Sequence, residues 1–363
     1  MTKRKVNKQA GKGSARFEGR ARLLAWYARE RRDLPWRRTS DPFAIWISEA
    51  MLQQTRVEAV IGYWERFLAR FPDIRTLAQA PEQDVLSAWS GLGYYRRARA
   101  LRAAAQAIVE RHGGEFPRDA ELVRELPGIG PYTAGAVLSI AFDLPEPLVD
   151  GNVARVLARW FAHEADAVAT QKWAWERARE LVPQGAGAGQ WNQALMELGA
   201  TVCTPQRPRC ETCPVARSCA ALAQGAVARI PRPKVRPEPV DVELVAWVVE
   251  RRGAILMEQR PAEGRMAGLW QLPTVQVAPV RPELFPARLT VELEPGPELG
   301  VERHAITRHR IRMVLRRGEL GRASLPERLR WVPREETLRL PLTGMARKSL
   351  ARAFGLGKRI PGG

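Results

Sequence analysis

The chain has 363 residues, 45% of them hydrophobic, which is enough for two domains that each bury a core. Its 58 lysines and arginines against 39 acidic residues give a formal net charge of +19. Such an excess favours a polyanionic partner, although a ribosome, a membrane surface or compositional drift toward arginine would fit the charge alone. No run approaches 18 apolar residues, which excludes a membrane-spanning helix, and the basic start lacks the apolar segment of a secretory signal.

The first part of the chain is predicted to pass from a basic arm into a helix. Residues 1–18 are predicted to be a disordered arm. Apolar residues at helical spacing follow and predict an amphipathic helix that ends near Asp33. The next four residues, Leu34-Pro-Trp-Arg37, are predicted to be extended. Trp36 there either closes the edge of the core or, together with Arg37, faces a ligand.

Glu49 is the anomaly of the next predicted helix, which begins after Asp41 as its N-cap. The helix places Ile45, Trp46 and Leu52 beside Glu49, at spacings of three and four residues. A carboxyl group on such an apolar face is desolvated, which raises its pKa and lets it keep a proton near neutral pH. Glu49 is therefore either a general acid or a buried glutamate paired with an arginine.

The segment Gly91-Leu-Gly-Tyr-Tyr-Arg-Arg-Ala98 lies between helices predicted over 82–89 and 98–111. Its glycines, tyrosines and arginines, including Tyr94 and Arg96, predict a tip with an aromatic wedge and charge for phosphates. An exposed turn between two helices is the alternative.

The segment Leu126-Pro-Gly-Ile-Gly130 predicts a tight turn in which Gly128 and Gly130 can adopt positive φ without a steric penalty. A helix predicted over Thr133–Phe142 follows at once. Backbone N–H groups in a turn at the start of a helix suit a phosphate group. An ordinary corner between two helices is the alternative.

Asp150 precedes a helix whose apolar residues recur at 3.6-residue spacing, so it is an N-cap, a functional carboxylate, or both. Backbone donors and the positive end of the helix are expected to keep it ionised. A neutral Glu49 and a charged Asp150 would together supply the pair of carboxyl groups that glycosidic cleavage needs.

All four cysteines fall between residues 203 and 219, with six, two and five residues between successive members. Such clustering indicates one metal site rather than disulfides. Thiolates select zinc or an iron–sulfur cluster, and a single C-x2-C pair argues against a zinc ribbon. Arg207 and Arg209 lie in a rigid basic loop suited to a phosphate. The predicted ligands are Cys203, Cys210, Cys213 and Cys219.

The end of the chain changes character after a proline-rich segment, Ala226–Pro239, which is predicted to be a semi-rigid linker. Alternating patterns then predict strands within 240–250, 253–260, 268–274 and 304–317, and a helix near 343–354 closes the chain. These elements predict an α+β module.

Several strings resemble those of the adenine DNA glycosylases of the MutY family, in the endonuclease III-like superfamily. They are LPWR (34–37), SEAMLQQT (48–55), GLGYY (91–95), LPGIGPYTAGA (126–136), VDGNV (149–153) and the cysteine spacing, which is that of a four-iron cluster. QRPAEGRMAGLWQLP (259–273) resembles the Nudix-like C-terminal domain of the family, without the glutamate-rich helix that holds magnesium in Nudix hydrolases. The resemblance covers about residues 20–350.

The resemblance implies excision of adenine opposite 8-oxoguanine or guanine in double-stranded DNA. It implies that Glu49 protonates adenine, that Asp150 stabilises the oxocarbenium-like sugar, and that Tyr132 and Asn152 orient these groups. Bifunctional relatives carry a lysine where Tyr132 stands, and a tyrosine forms no imine, so the resemblance implies little or no lyase activity.

The remaining roles also follow from the resemblance. The residues expected to bind the substrate adenine are Trp36, Arg37, Leu52 and Gln193, although the amide of Gln193 is also compatible with an ordinary surface position. The residues expected to contact DNA are Gln53, Gln54, Tyr94, Arg96, Gly128, Gly130, Arg207 and Arg209. Thr307 and Arg308 are expected to contact 8-oxoguanine, with Arg308 departing from the histidine common in the family.

The predicted architecture is a mostly α helix-hairpin-helix glycosylase domain over 19–225 with a [4Fe–4S] cluster, followed by an α+β Nudix-like domain over 240–355. The linker covers 226–239 and a tail covers 356–363. A monomeric cytoplasmic protein is expected, nucleoid-associated if bacterial, with DNA and no membrane as its partner. The alternatives are a mismatch-specific thymine or pyrimidine glycosylase and a non-catalytic iron–sulfur DNA-binding protein.

Overall fold

The structure is a computed structural model that describes residues 10–232, 238–279, 284–321 and 324–356. Within them the chain forms two compact units. The first unit consists of residues 10–54 and 104–232, and the second consists of residues 55–103 and the described residues from 238 onward.

The helices run in chain order as α1 Ala10–Glu30, α2 Pro42–Leu52, α3 Val57–Arg70, α4 Ile74–Gln79, α5 Glu82–Ala88, α6 Arg96–His112, α7 Ala120–Arg124, α8 Pro131–Phe142, α9 Gly151–Trp160, α10 Ala167–Leu181, α11 Ala188–Thr201, α12 Ala220–Ala223 and α13 Gly344–Phe354. The helices predicted over 82–89, 98–111 and 343–354 are confirmed to within two residues at each end. Within the described ranges, none of these helices is both long enough and apolar enough to cross a bilayer.

The strands are β1 Val240–Val248, β2 Glu250–Arg251, β3 Ala254–Gln259, β4 Trp270–Gln271, β5 Thr274–Ala278, β6 Leu293–Ile306, β7 His309–Leu320 and β8 Leu329–Pro333. They form one sheet in the order β5-β1-β7-β6 and another in which β3 lies between β2 and β4 and also pairs with β8. The pair β1–β7 is parallel, whereas β1–β5 and β6–β7 are antiparallel. A mixed sheet with helices confirms the predicted α+β module.

Two stretches near the start of the chain differ from their predictions. Helix α1 begins at Ala10, so residues 10–18 are helical where a disordered arm was predicted, because a helix anchored on a core extends by one hydrogen bond per residue. Residues 1–9 of that arm lie outside the described part. Leu34 is extended as predicted, but Pro35–Arg37 forms a 3-10 turn, since proline presets φ for the first helical position.

Other predicted segments fall partly outside the description. Residues 233–237 of the predicted linker and residues 357–363 of the predicted tail are among them. The sequence also predicted residues 55–103 to belong to the first domain, whereas their contacts in the structure group them with the second unit. There the hydroxyl of Tyr95 donates to the carbonyl of Leu342 over 2.9 Å.

The first unit brings α2, α8, α9 and α11 around one point. Asp41 caps α2 by accepting hydrogen bonds from the backbone N–H groups of Phe43 and Ala44, as predicted. Gly199 of α11 lies so close to Asn152 that a Cβ atom at position 199 would come within 2.7 Å of the Asn152 Cβ. Only glycine allows this approach, so α11 fixes the start of α9.

The two glycines of the turn before α8 adopt different backbone conformations. Gly128 has a φ of +74°, in the left-handed region that favours glycine. Gly130 instead is the extended N-cap of α8, with φ −88° and ψ 176°. Gly130 therefore does not use the left-handed region that is open to glycine, because Pro131 already begins the helix and disfavours a helical conformation at the residue before it.

Candidate active site

Glu49 lies on α2 with only 3% of its surface exposed. The pKa of its carboxyl group is raised from 4.5 to about 7, mainly because burial disfavours the charged form and also because of the nearby charge of Asp150. A hydrogen bond from Tyr132 and the charge of Arg37 act in the opposite direction. The Glu49 carboxyl group therefore titrates near neutral pH rather than in the acidic range. This is the behaviour that the apolar face of the helix predicted.

Tyr132 is the second residue of α8 and donates its hydroxyl hydrogen to Oε2 of Glu49 over 2.5 Å. Burial raises the pKa of Tyr132 well above its ordinary value, and the negative charges of Glu49 and Asp150 add to the rise. Tyr132 therefore remains a hydrogen-bond donor throughout the physiological pH range. It interacts electrostatically with the carboxyl groups of both Glu49 and Asp150.

Asp150 caps α9. One carboxylate oxygen accepts from the backbone N–H of Val153 over 2.7 Å, and the other accepts from the side-chain amide of Asn152 over 2.9 Å. The carbonyl oxygen of that amide accepts from Arg155 over 2.8 Å, so the amide is held from both ends. Two donors and a helix N-terminus all stabilise negative charge on Asp150. The four predicted catalytic residues thus lie together.

The residues predicted to bind adenine lie in the same unit. Trp36 is buried, Leu52 is half-buried at the end of α2, and Gln193 lies on α11. The Gln193 carbonyl oxygen accepts from the hydroxyl of Tyr27 over 3.1 Å. Arg37 donates to Glu197 over 2.7 Å, so its guanidinium group has a fixed partner.

The sequence patterns missed several residues of this site. Glu197 is fully buried and accepts hydrogen bonds from both Arg32 and Arg37. It interrupts the apolar face of α11 in the same way that Glu49 interrupts α2, and this pattern could have identified it. Tyr27 looked like one more core aromatic residue of α1. Arg155 lies on α9 and is buried, although arginine is usually exposed, and it also donates to the backbone carbonyl of Cys203 over 2.8 Å.

Two sequence profiles match the two parts of the chain. Residues 47–184 match that of the HhH-GPD superfamily base excision DNA repair proteins, and residues 244–352 match that of the NUDIX domain. A mouse adenine DNA glycosylase is 41% identical over 72% of this chain and 61% of its own length, so the chain spans about three fifths of that relative. An adenine DNA glycosylase of Schizosaccharomyces pombe is 35% identical over 71% of this chain and 69% of its own length.

The chain belongs to the adenine DNA glycosylase family.

A solved thermostable thymine-DNA glycosylase is also similar, with 29% identity and a TM-score of 0.54 over 59% of this chain and 99% of its own. Since the match covers nearly all of that protein, its fold corresponds to the glycosylase part of this family member. The predicted fold class is thereby confirmed.

The four cysteines of this adenine DNA glycosylase family member form no disulfide with one another. All four line one cavity, together with Arg159 and Trp160. Among the described residues, no three cysteine, histidine or acidic side chains are arranged to hold a single metal ion. Arg159 is buried and donates to the sulfur of Cys203 over 3.5 Å, which places a positive charge beside the thiols.

The residues predicted to contact DNA lie at the surface of the first unit, or in the second unit. Gln53 and Gln54 are exposed after α2, and the side chain of Gln53 donates to Thr133 over 3.4 Å. Gly128 and Gly130 are exposed in the turn before α8, as are Arg207 and Arg209 in the loop after Cys203.

The second unit carries the other predicted surface residues. Tyr94 is 53% exposed and Arg96 is exposed, whereas the neighbouring Tyr95 is buried, so only the first tyrosine of the pair can serve as a wedge. Thr307 and Arg308 form the exposed two-residue tip between β6 and β7, and Thr307 has a φ of +51°. A hairpin tip of this kind presents its side chains away from the sheet.

Proposed function

We propose that this protein is a monofunctional DNA glycosylase that hydrolyses the N-glycosidic bond of adenine mispaired with 8-oxoguanine or guanine. The arrangement of Glu49, Tyr132 and Asp150 carries the proposal. One carboxyl group has a pKa of about 7, and the other accepts two hydrogen bonds at a helix N-terminus. Two carboxyl groups in such different environments suit an acid and a charged stabiliser in one reaction.

The proposed reaction begins when the mispaired adenine leaves the base stack and enters the site, at a cost of a few kcal/mol. Protonated Glu49 donates its proton to N7 of the adenine, and the C1′–N9 bond then breaks with both electrons moving to the base. The negative charge of Asp150 stabilises the positive sugar. Glu49, now a carboxylate, takes a proton from the attacking water, which leaves an abasic site and restores the acid.

Tyr132 supports the monofunctional part of the proposal. A lyase needs an amine that condenses with the sugar aldehyde, and a phenol cannot form that imine. The Tyr132 hydroxyl instead donates to Glu49 and orients the acid. Trapping with borohydride is therefore expected to give no covalent complex between the protein and DNA.

We also propose that the second unit recognises 8-oxoguanine through the tip formed by Thr307 and Arg308. Both side chains are exposed at the end of a hairpin, and the threonine hydroxyl suits the polar edge of a base. Excision of adenine opposite 8-oxoguanine and opposite guanine should then respond differently to Thr307→Ala and Arg308→Ala, with loss mainly on 8-oxoguanine. Equal losses on the two duplexes would remove the tip from lesion recognition.

The cysteines support a proposed [4Fe–4S] cluster held by Cys203, Cys210, Cys213 and Cys219. Four cysteines that line one cavity, with a buried arginine beside them, suit a negatively charged group that takes four thiolate ligands. Such a cluster would cross-link the loop after α11. Iron, sulfide and zinc analysis of the purified protein tests this: four irons per chain are expected, and one zinc would refute the cluster.

The function is tested with duplexes that carry adenine opposite 8-oxoguanine, guanine or cytosine, and thymine opposite guanine, each analysed with and without alkali. Adenine release from the first two, with strand breaks only after alkali, is the expected result. Glu49→Gln should bind the 8-oxoguanine duplex and release no base, whereas Glu164→Gln, at an exposed ion pair with Arg229, should behave as wild type. Release of thymine alone would instead favour a mismatch thymine glycosylase, since this chain is similar to a solved thymine-DNA glycosylase.

A further inference from the structure

Glu197 is a fully buried carboxylate on the same helix as Gln193, one turn further along. It accepts three hydrogen bonds from Arg32, from the backbone N–H at 3.1 Å and from the guanidinium group at 2.8 and 2.9 Å. A fourth comes from Arg37 at 2.7 Å. Burial alone would raise the pKa of Glu197, but the donors outweigh it and hold it at about 2. Glu197 is therefore a permanent negative charge in the core.

Arg37 is held from several sides. One of its nitrogens donates to Glu197, another donates to the backbone carbonyl of Arg32 over 2.9 Å, and its guanidinium carbon lies 5.6 Å from the ring centre of Tyr27. Only 11% of the Arg37 side chain is exposed. The charge of Arg37 nevertheless reaches Glu49 and opposes the rise in its pKa.

The contacts close into a ring that begins and ends on α11. Glu197 binds Arg37, Arg37 covers the ring of Tyr27, and the Tyr27 hydroxyl donates to the Gln193 carbonyl oxygen. The Gln193 amide nitrogen points to the carbonyl of Gly189 at 3.3 Å, so a flipped amide would set two carbonyl oxygens against each other. Tyr27 and Gly189 together therefore fix the orientation of the amide and leave one N–H and one oxygen lone pair to meet a base.

We propose that Glu197 is a positioning residue for the excision reaction: it holds and partly neutralises Arg37 near Glu49 and, through Tyr27, fixes the orientation of Gln193. The inference rests on the proposed function, since Glu49 and Gln193 matter to it as the acid and as a base contact. Glu197 does not touch the base. Through Arg37 it affects the charge near the Glu49 carboxyl group, and through Tyr27 it affects the hydrogen bond that Gln193 offers to the base.

The charged and titratable groups that face the acid are Tyr132 from α8, Asp150 at the start of α9, and Arg37. Glu197→Gln removes the charge that neutralises Arg37 and leaves the other groups unchanged. The freed positive charge stabilises the Glu49 carboxylate and lowers its pKa. The alkaline limb of the excision rate should then move down by about 0.5–1 pH unit.

The test measures single-turnover adenine release from the 8-oxoguanine duplex between pH 5.5 and 9, at saturating enzyme, with thermal melting alongside. Glu164→Gln is the matched control, and its limb should equal that of wild type. A folded Glu197→Gln protein whose limb is unmoved, or moved upward, overturns the inference and leaves Glu197 a purely structural ion pair. A wild-type protein that releases no adenine would instead refute the proposed function.

Tyr27→Phe tests the other half of the ring without disturbing a buried charge. Loss of one hydrogen bond to Gln193 should weaken binding of the substrate duplex by about two- to tenfold, with the melting temperature little changed. Unchanged duplex affinity would overturn the positioning of Gln193. If Glu197→Gln fails to fold, this variant still decides the part of the inference that concerns Gln193.

Discussion

Replacing Glu49 with glutamine should stabilise the first unit while abolishing excision, and the gain should grow with pH. Glutamine has nearly the same shape, and its carbonyl oxygen still accepts from the Tyr132 hydroxyl. The wild-type carboxyl group, by contrast, must lose its proton in a buried site as the pH rises. The buried carboxyl group that the reaction needs therefore lowers the stability of the first unit, as is common for active-site residues.

The magnitude follows from the pKa of Glu49, which burial raises from 4.5 to about 7. Because the folded pKa exceeds the unfolded one, the unfolded chain loses its proton first, and stability falls as the pH rises from about 4.5 through 7. At about 1.4 kcal/mol per pKa unit, wild type loses roughly 1 kcal/mol by pH 5.5 and roughly 3 kcal/mol by pH 8. Glutamine has no proton to lose, so the variant keeps that free energy.

Hydrogen exchange of the backbone amides in α2 and α8 measures the free energy of opening in this region separately from the second unit. Wild type and Glu49→Gln are compared at each pH, so that changes common to both proteins cancel. Glu164→Gln serves as the control and should differ from wild type equally at every pH. A gain for Glu49→Gln that stays constant from pH 5.5 to 8, or a variant less stable than wild type at pH 8, would refute the raised pKa.

Three further predictions concern the same unit. Asp150→Asn should keep α9 capped, because asparagine caps a helix as well as aspartate does. The rate of single-turnover excision should nevertheless fall by about 100-fold or more. If circular dichroism shows that the variant is unfolded to the same extent, the loss would count against a chemical role for Asp150. Tyr132→Phe removes the hydrogen bond that lowers the pKa of Glu49, so the alkaline limb of the excision rate should rise by about one pH unit, and an unmoved limb would contradict this. Cys213→Ser should lower the iron bound per chain, measured by elemental analysis, and unchanged iron would exclude Cys213 as a ligand.

Local patterns in the sequence determined much of the helical unit. Asp41 and Pro42 marked the start of α2, and the apolar neighbours of Glu49 predicted the burial of its carboxyl group. Such features depend on residues within one or two turns, which are adjacent in the chain and therefore visible in it. The strings around Glu49 and Asp150 likewise indicated the family that the relatives then showed.

Other features depend on partners far away in the chain. Tyr132 meets Glu49 across 83 positions, and Glu197 meets Arg32 across 165, so neither pair leaves a periodic trace in the sequence. Glu197 and Glu49 look alike as single acidic residues on apolar helices. Only the fold decided that the first meets two arginines and stays charged, whereas the second meets a tyrosine and a carboxylate and keeps a proton near pH 7.

The same division explains the differences between expectation and structure. Glycine permits a left-handed conformation at Gly130, but permission is not a requirement, and the proline after it selected an extended N-cap. Composition suggested disorder for residues 10–18, whereas attachment to a packed helix extends α1 through them. A sequence specifies what each residue tolerates, and tertiary contacts choose among the tolerated states because burial and long-range charge set their relative free energies.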